Sequence, residues 1–318
     1  MEKVRHDSVL MNEVLAALAV RSSDTVVDAT IGGAGHFASL LAALGEGGVI
    51  VGIDADSAAV ERGRMAYALD RRPGRPIAHL VNDNFRNLMR ILERLGIAPI
   101  DKILFDLGWS GYQIASFRGF SFKNDEPLLM MYGDGGETAA DIVNSSSEAV
   151  LADILFKYGE ERFARSIARS IVAARARERI LTTNALVAAV IAGTPHWYQK
   201  RKIHPATKTF QALRIVVNDE IGSLQEGLAA AISMLAPGGR LAVISFHSIE
   251  DRIVKTMLRD AANTGAGSLV SKKPIIPSRA EIHANRRARS AKLRVFERSA
   301  AVPNAESTNP TSYMLSYV

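Results

Sequence analysis

The stretch VVDATIGGAGHFASLLAALGEGGVIVGIDAD, residues 26–56, decides how the rest of the chain reads. An apolar run ends in Asp28, glycines follow, a helical pattern comes next, and a second apolar run ends in Asp54. A strand, a glycine loop, a helix and a strand at this spacing form a βαβ unit. In an open α/β sheet, ligands bind beyond the carboxyl ends of the strands. Gly32, Gly33 and Gly35 let the backbone turn sharply and approach a ligand closely. Ala-Gly-His-Phe-Ala follows Gly33, so the G-x-G-x-x-G pattern of a dinucleotide site is absent. Asp54 stands where a carboxylate accepts both hydroxyls of a ribose. Asp28 is awkward beside a pyrophosphate and suits a cationic amino-acid moiety. A ribose, an ammonium, a sulfonium and no phosphate together describe S-adenosylmethionine. A merely structural loop accounts for the glycines but not for both aspartates.

Working outward, residues 25–30, 48–54, 76–81 and 101–107 read as buried strands. Helices are expected at 36–44, 56–69 (Asp56 as N-cap) and 86–95. Continuous apolar strands alternating with helices imply a parallel sheet covered on both faces. NDNF at 82–85 follows the third strand, where Phe85 can pack on an adenine, and Asp106 ends the fourth. The alternation then stops. Residues 108–136 are irregular, and 148–156, 160–176 and 183–191 are helical. A long helix is expected over 209–235, a fifth strand over 240–246, and a helix over 248–259 capped by Ser248 with Asp251. A small-residue linker over 261–271 leads to AKLRVFER, which closes the sheet. The fold class is therefore α/β, a sheet interrupted by a helical insertion. The sheet domain is expected at 1–113 and 208–300, the inserted substrate-binding domain at 114–207, and a loose tail at 301–318.

The 318 residues contain no cysteine, which excludes disulfides, thiolate zinc sites and a thiolate nucleophile. The seven histidines show no ligand spacing, so no metal is expected. No apolar run reaches the ~20 residues of a membrane span, and the first residues lack a cleavable signal pattern; a cytoplasmic location is expected. The net charge of +6 is uneven: residues 157–214 hold 12 Lys/Arg against 3 Glu and no Asp, and residues 271–298 hold 9 against 2. Two basic regions beside a balanced one suggest a polyanion surface; solvated helix faces are the alternative. Phe163, Ile167 and Ile171 share one helix face, with Arg162, Arg165 and Arg169 on the opposite one.

HDSVLMNEVL, DATIGGAGH, GIDAD, DLGWS, RGFSF, YGEERFARSIARSIV, HPATKTFQALRIVVNDE, APGGRLAVISFHSIEDRIVK and RRARSAKLR together resemble the bacterial 16S ribosomal RNA (cytosine-N4)-methyltransferase family, from residue 6 to residue 298. The resemblance implies a Rossmann-like class I methyltransferase sheet with an inserted helical domain. It implies S-adenosylmethionine as cofactor and N4-methylation of a cytidine in the decoding centre, on the small subunit. Matched positions place Ala34, Gly35, His36, Asp54, Phe85, Asp106 and Gln113 at the cofactor, joined by Asp28 and Gly33 from the loop. Ala34 stands where the family more often has glycine. The implied partner is 16S ribosomal RNA within the small subunit, with no membrane and no metal; a homodimer is left open. The family reads Asp-Leu-Gly-Val-Ser-Ser-Pro-Gln where this chain has Trp109, Gly111 and Tyr112 in the valine, second serine and proline positions. It reads Pro-Leu-Asp-Met-Arg-Met-Asp where this chain has Leu129, Met131 and Gly133 in place of acid, arginine and acid. Arg286 replaces a usual proline.

Cytosine N4 is a poor nucleophile because its lone pair is delocalised into the ring. Direct in-line transfer needs no covalent intermediate, in keeping with the missing cysteines. Asp106 or the nearby backbone carbonyls accept N4 hydrogen bonds and localise that lone pair, with Asp106 the expected catalytic residue. The base must leave its stack to be reached, with Trp109, Tyr112 and Phe122 as stacking candidates; Phe122 reads more readily as loop packing. Trp109, Ser110, Arg162, Arg165, Arg169, His204, Lys208 and His247 are the candidates for RNA contact. Lys200-Arg201-Lys202 beside HPATK suits phosphates. For His247, an RNA contact and a structural hydrogen bond are equally compatible with the sequence. Two other readings are an RNA- or ribosome-docking protein that keeps the cofactor fold with weak or altered activity, and a small-molecule methyltransferase, which the basic insertion opposes.

Overall fold

The computed structural model describes residues 8–68, 74–108, 111–133 and 135–300. Trp109, Ser110 and the tail at 301–318 lie outside them. The described chain divides into two compact units, one built from residues 8–108 and 222–300 and the other from 111–221.

The first unit starts with α1 (Met11–Leu18), β1 (Thr25–Asp28), α2 (Gly35–Ala43), β2 (Val49–Asp54), α3 (Ser57–Ala68), β3 (Ile77–Asn82), a 3-10 turn at Phe85–Asn87, α4 (Leu88–Leu95) and β4 (Ile100–Asp106). The second holds α5 (Gly111–Ile114), α6 (Ala139–Ser145), α7 (Glu148–Gly159), α8 (Ala164–Arg175), α9 (Thr183–Ala192), α10 (His196–Gln199) and α11 (Thr207–Val217). The chain then runs through α12 (Glu220–Met234) to β5 (Leu235–Ser245), α13 (Ser248–Asn263), β6 (Gly267–Leu269), α14 (Arg279–Ala284) and β7 (Lys292–Arg298).

The seven strands form one sheet in the order β3-β2-β1-β4-β5-β7-β6. Strands β1 to β5 are parallel, and β7 runs antiparallel to both β5 and β6. This is a Rossmann-like sheet. Its order reverses between β1 and β4, the point where such sheets open a crevice for a ligand. Successive residues serve opposite faces. Val27, Val51, Ile53, Phe105 and Val243 pack with Leu88, Ile91, Leu92, Leu228 and Leu258. Val26, Ile50, Leu104, Ala242 and Ile244 pack with Val14, Leu18, Phe37, Leu40 and Leu293. Both faces are covered, which is why these strands read as unbroken apolar runs.

Five local expectations change. The helix expected over 160–176 begins at Ala164, so Phe163 is its N-cap and Arg162 precedes it. The helix expected over 209–235 is two helices. Asn218 donates its side-chain amide to the carbonyls of Arg214 and Met130 (3.0 and 2.8 Å), and Asp219 turns left-handed at φ 44°. Local side-chain bonds of this kind compete with helical ones. α11 packs in the helical unit, where Gln211 donates to the Tyr158 carbonyl and the Lys208 ammonium to that of Glu160. α13 is capped by His247, not Ser248: Nδ1 accepts the Glu250 N–H (3.3 Å) and Glu250 answers to the His247 N–H. The expected linker over 261–271 is the end of α13 plus β6, whose pairing with β7 extends the sheet. The helix expected over 86–95 begins as the 3-10 turn at Phe85–Asn87 before α4.

Candidate active site

The carboxyl ends of β1, β2 and β4 carry Asp28, Asp54 and Asp106. Asp28 pairs in register with Gly52 on one side and Leu104 on the other. The loop after β1 turns through two left-handed residues, Gly32 (φ 51°) and Ala34 (φ 62°), and Ala34 is the N-cap of α2. Gly35 has no room for a side chain, because a Cβ there would collide with Ser8 Oγ.

Asp54 is tied to the loop. Its Oδ2 accepts the Gly32 N–H (2.8 Å) and its Oδ1 the Asp56 N–H (2.9 Å). Burial pushes its carboxyl up to about 6, against the pull of those two amides. Arg62 donates to the Gly32 carbonyl (2.9 Å), bracing the loop from α3.

His36, in the first turn of α2, is buried at 4% exposure. Its Nε2 lies 3.1 Å from the Val9 carbonyl and its Nδ1 3.3 Å from Asp106 Oδ2. Burial pulls the imidazole down, but the hydrogen bond and charge of Asp106, with the charge of Asp28, outweigh it and hold the ring above its ordinary value. The Asp106 N–H donates to Thr30 Oγ1 (2.7 Å). Asp28 is fully buried, and burial lifts its carboxyl to about 7 despite the His36 charge. Its Oδ1 accepts the Thr30 N–H (3.1 Å). Asp28 Oδ2 and Asp106 Oδ1 are buried and have no hydrogen-bond partner among the described residues. Unpaired acceptors of this kind are costly and suit a ligand that brings N–H donors or positive charge.

Phe85 is half-buried, edge-on to Phe105 (centroids 5.3 Å, 82°), and a Cβ at Gly227 would meet its ring at 2.7 Å. α12 thus needs a glycine there to make room for the Phe85 ring. Gly33 lies half-buried in the loop. Gln113 is buried and belongs to the helical unit.

Among the RNA candidates, Arg162, Arg165 and Arg169 are all exposed, while Ile167 and Ile171 are buried. Arg169 stands 3.5 Å from Glu148. Phe122 is loop packing, stacked on His204 (4.6 Å) and edge-on to Phe210 (5.1 Å). His204 Nδ1 accepts the Ala206 N–H (3.2 Å), so its ring also stiffens the turn into α11. His247 spends its ring capping α13. Thr30, Val9 and Arg62 were not singled out from the sequence. Thr30 and Val9 lie inside the quoted stretches DATIGGAGH and HDSVLMNEVL, and only the sheet order reveals their partners.

Among the described residues no helix is long and apolar enough to cross a membrane. The ribosomal RNA small subunit methyltransferase H of Deinococcus radiodurans is 46% identical over 297 residues, covering 93% of this chain and 90% of that protein. The protein of the same name from Syntrophotalea carbinolica is 44% identical over 315 residues, covering 93% and 99%; that of Brevibacillus brevis is 41% identical over 312 residues, covering 92% and 98%. With residues 3–299 matching its pattern, the chain belongs to the MraW methylase family.

Proposed function

We propose that the protein is an S-adenosylmethionine-dependent ribosomal RNA methyltransferase that methylates the exocyclic N4 of a cytidine in the decoding centre of 16S ribosomal RNA, on the small subunit. The relatives' shared name supports the ribosomal RNA substrate. The observation that carries the chemistry is the unpartnered Oδ1 of Asp106 at the end of β4, with its Oδ2 facing His36.

When bound, the cofactor supplies an electrophilic methyl group on a sulfonium. Asp54 holds the ribose through the lone pairs its backbone amides leave free. Gly33, Ala34 and Gly35 would bring the loop backbone close, and Phe85 would pack on the adenine. Gln113 completes the set implied by the family. Asp28, at the foot of the loop, contributes a negative field for the cationic end. Asp106 Oδ1 accepts one N4 hydrogen, which turns the N4 lone pair toward the methyl group. In the transfer the N4–methyl bond would form as the methyl–sulfonium bond breaks, the cofactor leaving as the neutral thioether, and Asp106 Oδ1 would take the displaced N4 proton. Ordering the two reactants supplies most of the acceleration.

In this reading Arg162, Arg165, Arg169 and Lys208 bind RNA phosphates, and Trp109, Ser110, His204 and His247 are the further RNA contacts. The losses at Leu129, Met131 and Gly133 favour a second reading, a docking protein with little activity. One experiment separates the two: incubate small subunits with labelled cofactor and identify the modified base by mass spectrometry. N4-methylcytidine at one site supports the first reading. Subunit binding without label supports the second, and neither binding nor label overturns both.

A further inference from the structure

The helical unit carries an exposed aromatic cluster that the chemistry above does not use. Trp197, on α10, keeps 53% of its surface exposed. Its ring stands edge-on to Phe163 (5.8 Å, 68°) and to Tyr198 (5.8 Å, 89°). The Arg162 guanidinium lies 5.2 Å from the Trp197 ring centroid and 5.0 Å from that of Phe163. The Arg201 guanidinium lies 5.2 Å from that of Tyr198. The base of this cluster is rigid. Tyr198 is 4% exposed and donates its hydroxyl to Glu161 Oε2 (2.7 Å), while the other Glu161 oxygen accepts the Phe163 N–H (2.9 Å). Glu161 is fully buried, with both oxygens taken by these two bonds. Arg162, Arg165, Lys200, Arg201 and Lys202 are all exposed, and none has a carboxylate within ion-pair distance among the described residues.

A half-exposed indole with an unpaired guanidinium against its ring, and further exposed, unpaired cations at 165 and 200–202 in the same unit, is an uncommon surface. A protein partner would have to bring a dense acidic patch to neutralise it. An unpaired nucleotide brings both halves at once, a base for the ring and phosphates for the cations. We propose that Trp197, with Arg162 against its ring, is a stacking platform for an unpaired RNA base, and that Arg165 and the Lys200–Arg201–Lys202 run hold the flanking phosphates. The proposal rests on RNA as substrate and adds where an unpaired segment of it is gripped.

The test uses the full chain carrying Trp109→Phe, which leaves Trp197 as the sole tryptophan of the two in the sequence. A single-stranded RNA dodecamer and its abasic counterpart with the same phosphates are titrated while indole fluorescence is read. Stacking quenches the indole with the base-bearing strand only. Trp197→Ala weakens binding of that strand about tenfold and leaves the abasic strand unchanged, and Trp197→Phe restores most of the loss. Equal affinity for both strands without quenching overturns the platform in favour of simple charge attraction. Quenching by anionic phospholipid vesicles but not by RNA overturns it in favour of a membrane surface. Loss of affinity for both strands in Trp197→Phe as well as Trp197→Ala overturns it in favour of a packing role. The parent reading fails separately: if the unaltered protein never labels small subunits while the Trp109→Phe chain still quenches with RNA, the platform stands and the proposed methylation falls.

Discussion

His36 and Asp106 meet across the switch point of the sheet, with Nδ1 and Oδ2 3.3 Å apart, while the other ring nitrogen of His36 sits 3.1 Å from the Val9 carbonyl. A carbonyl only accepts, so Nε2 carries a hydrogen. Asp106 holds the His36 ring above its ordinary value through a hydrogen bond and its charge, and the other Asp106 oxygen stays buried with no partner among the described residues. The pair joins the start of α2 to the end of β4, residues 70 positions apart that no local pattern links.

Replacing His36 by alanine removes a buried charge-assisted hydrogen bond and leaves Asp106 free to rotate. A loss of about 2–3 kcal/mol in stability is expected, the upper range for a bond to a charged group. The rate of methyl transfer should fall more than cofactor affinity. Urea denaturation and single-turnover kinetics measure the two separately; an unchanged rate would show that Asp106 needs no such support.

Asp28 makes stability fall as pH rises. Its ordinary value is 3.8 and its folded value about 7, so the folded state binds the proton more tightly. Below about pH 4 both states are protonated and nothing is lost. Between 4 and 7 the unfolded state releases its proton first, and stability declines; above 7 it declines no further on this account. A shift of that size corresponds to at most about 4 kcal/mol. His36, held above its ordinary value, acts in the same sense, its contribution fading as pH rises through its folded value. Asp28→Asn should flatten the profile between pH 4 and 7 and stabilise the protein at pH 8. Urea midpoints across that range decide it.

Asp54→Ala removes the proposed ribose acceptor and two loop hydrogen bonds together. Cofactor affinity should drop by about 1–3 kcal/mol. Calorimetry on folded variants is the check, with Asp54→Asn, which keeps one acceptor oxygen, falling between. Unchanged binding in both would remove Asp54 from the cofactor site.

Gly119 crosses close under the segment that departs from the family. Its φ is +78°, and a Cβ there would stand 2.5 Å from the Pro127 carbonyl oxygen. Gly119→Ala combines left-handed strain with a backbone clash, for an expected loss of about 2–4 kcal/mol. A melting temperature equal to that of the unaltered protein would mean the segment yields freely.

The strands and the three strand-end aspartates were legible because a sheet covered on both faces forces unbroken apolar runs that stop at its carboxyl edge. The chain positions of the loop residues followed from glycine spacing. The His36–Asp106 pair was not legible, since it depends on β1 and β4 being neighbours. The break after Val217 was hidden because the apolar spacing continues through it; Asn218 ends the helix by donating to two carbonyls. His247 escaped as a cap because an imidazole Nδ1 there does what a hydroxyl or carboxylate usually does. The exposure of Trp197 could not be read from a helix as short as α10.

The altered segment itself yields the last prediction. Its backbone is pinned without help from the substituted side chains. The Met130 N–H donates to the Arg118 carbonyl (2.7 Å), the Ala139 N–H to that of Leu129 (2.9 Å), and the Tyr132 N–H to Asn218 Oδ1 (2.9 Å). Tyr132 donates its hydroxyl to Glu220 (2.7 Å), which also pairs with Arg214, and its ring stacks on Phe120 at 5.6 Å. Leu129, Met131 and Gly133 therefore change what the segment presents, not how it runs. Removing two acids and an arginine near a phosphate-rich substrate should disturb RNA placement and spare the cofactor. Misplacing a reacting group by about 1 Å costs on the order of 100-fold in rate. Normal cofactor affinity with slow or retargeted methylation is expected. Leu129→Asp, Met131→Arg and Gly133→Asp together should raise the single-turnover rate on standard small subunits, with the fold kept because the pinning bonds remain. Rapid methylation at the family's site by the unaltered protein would show that these three positions do not govern the chemistry.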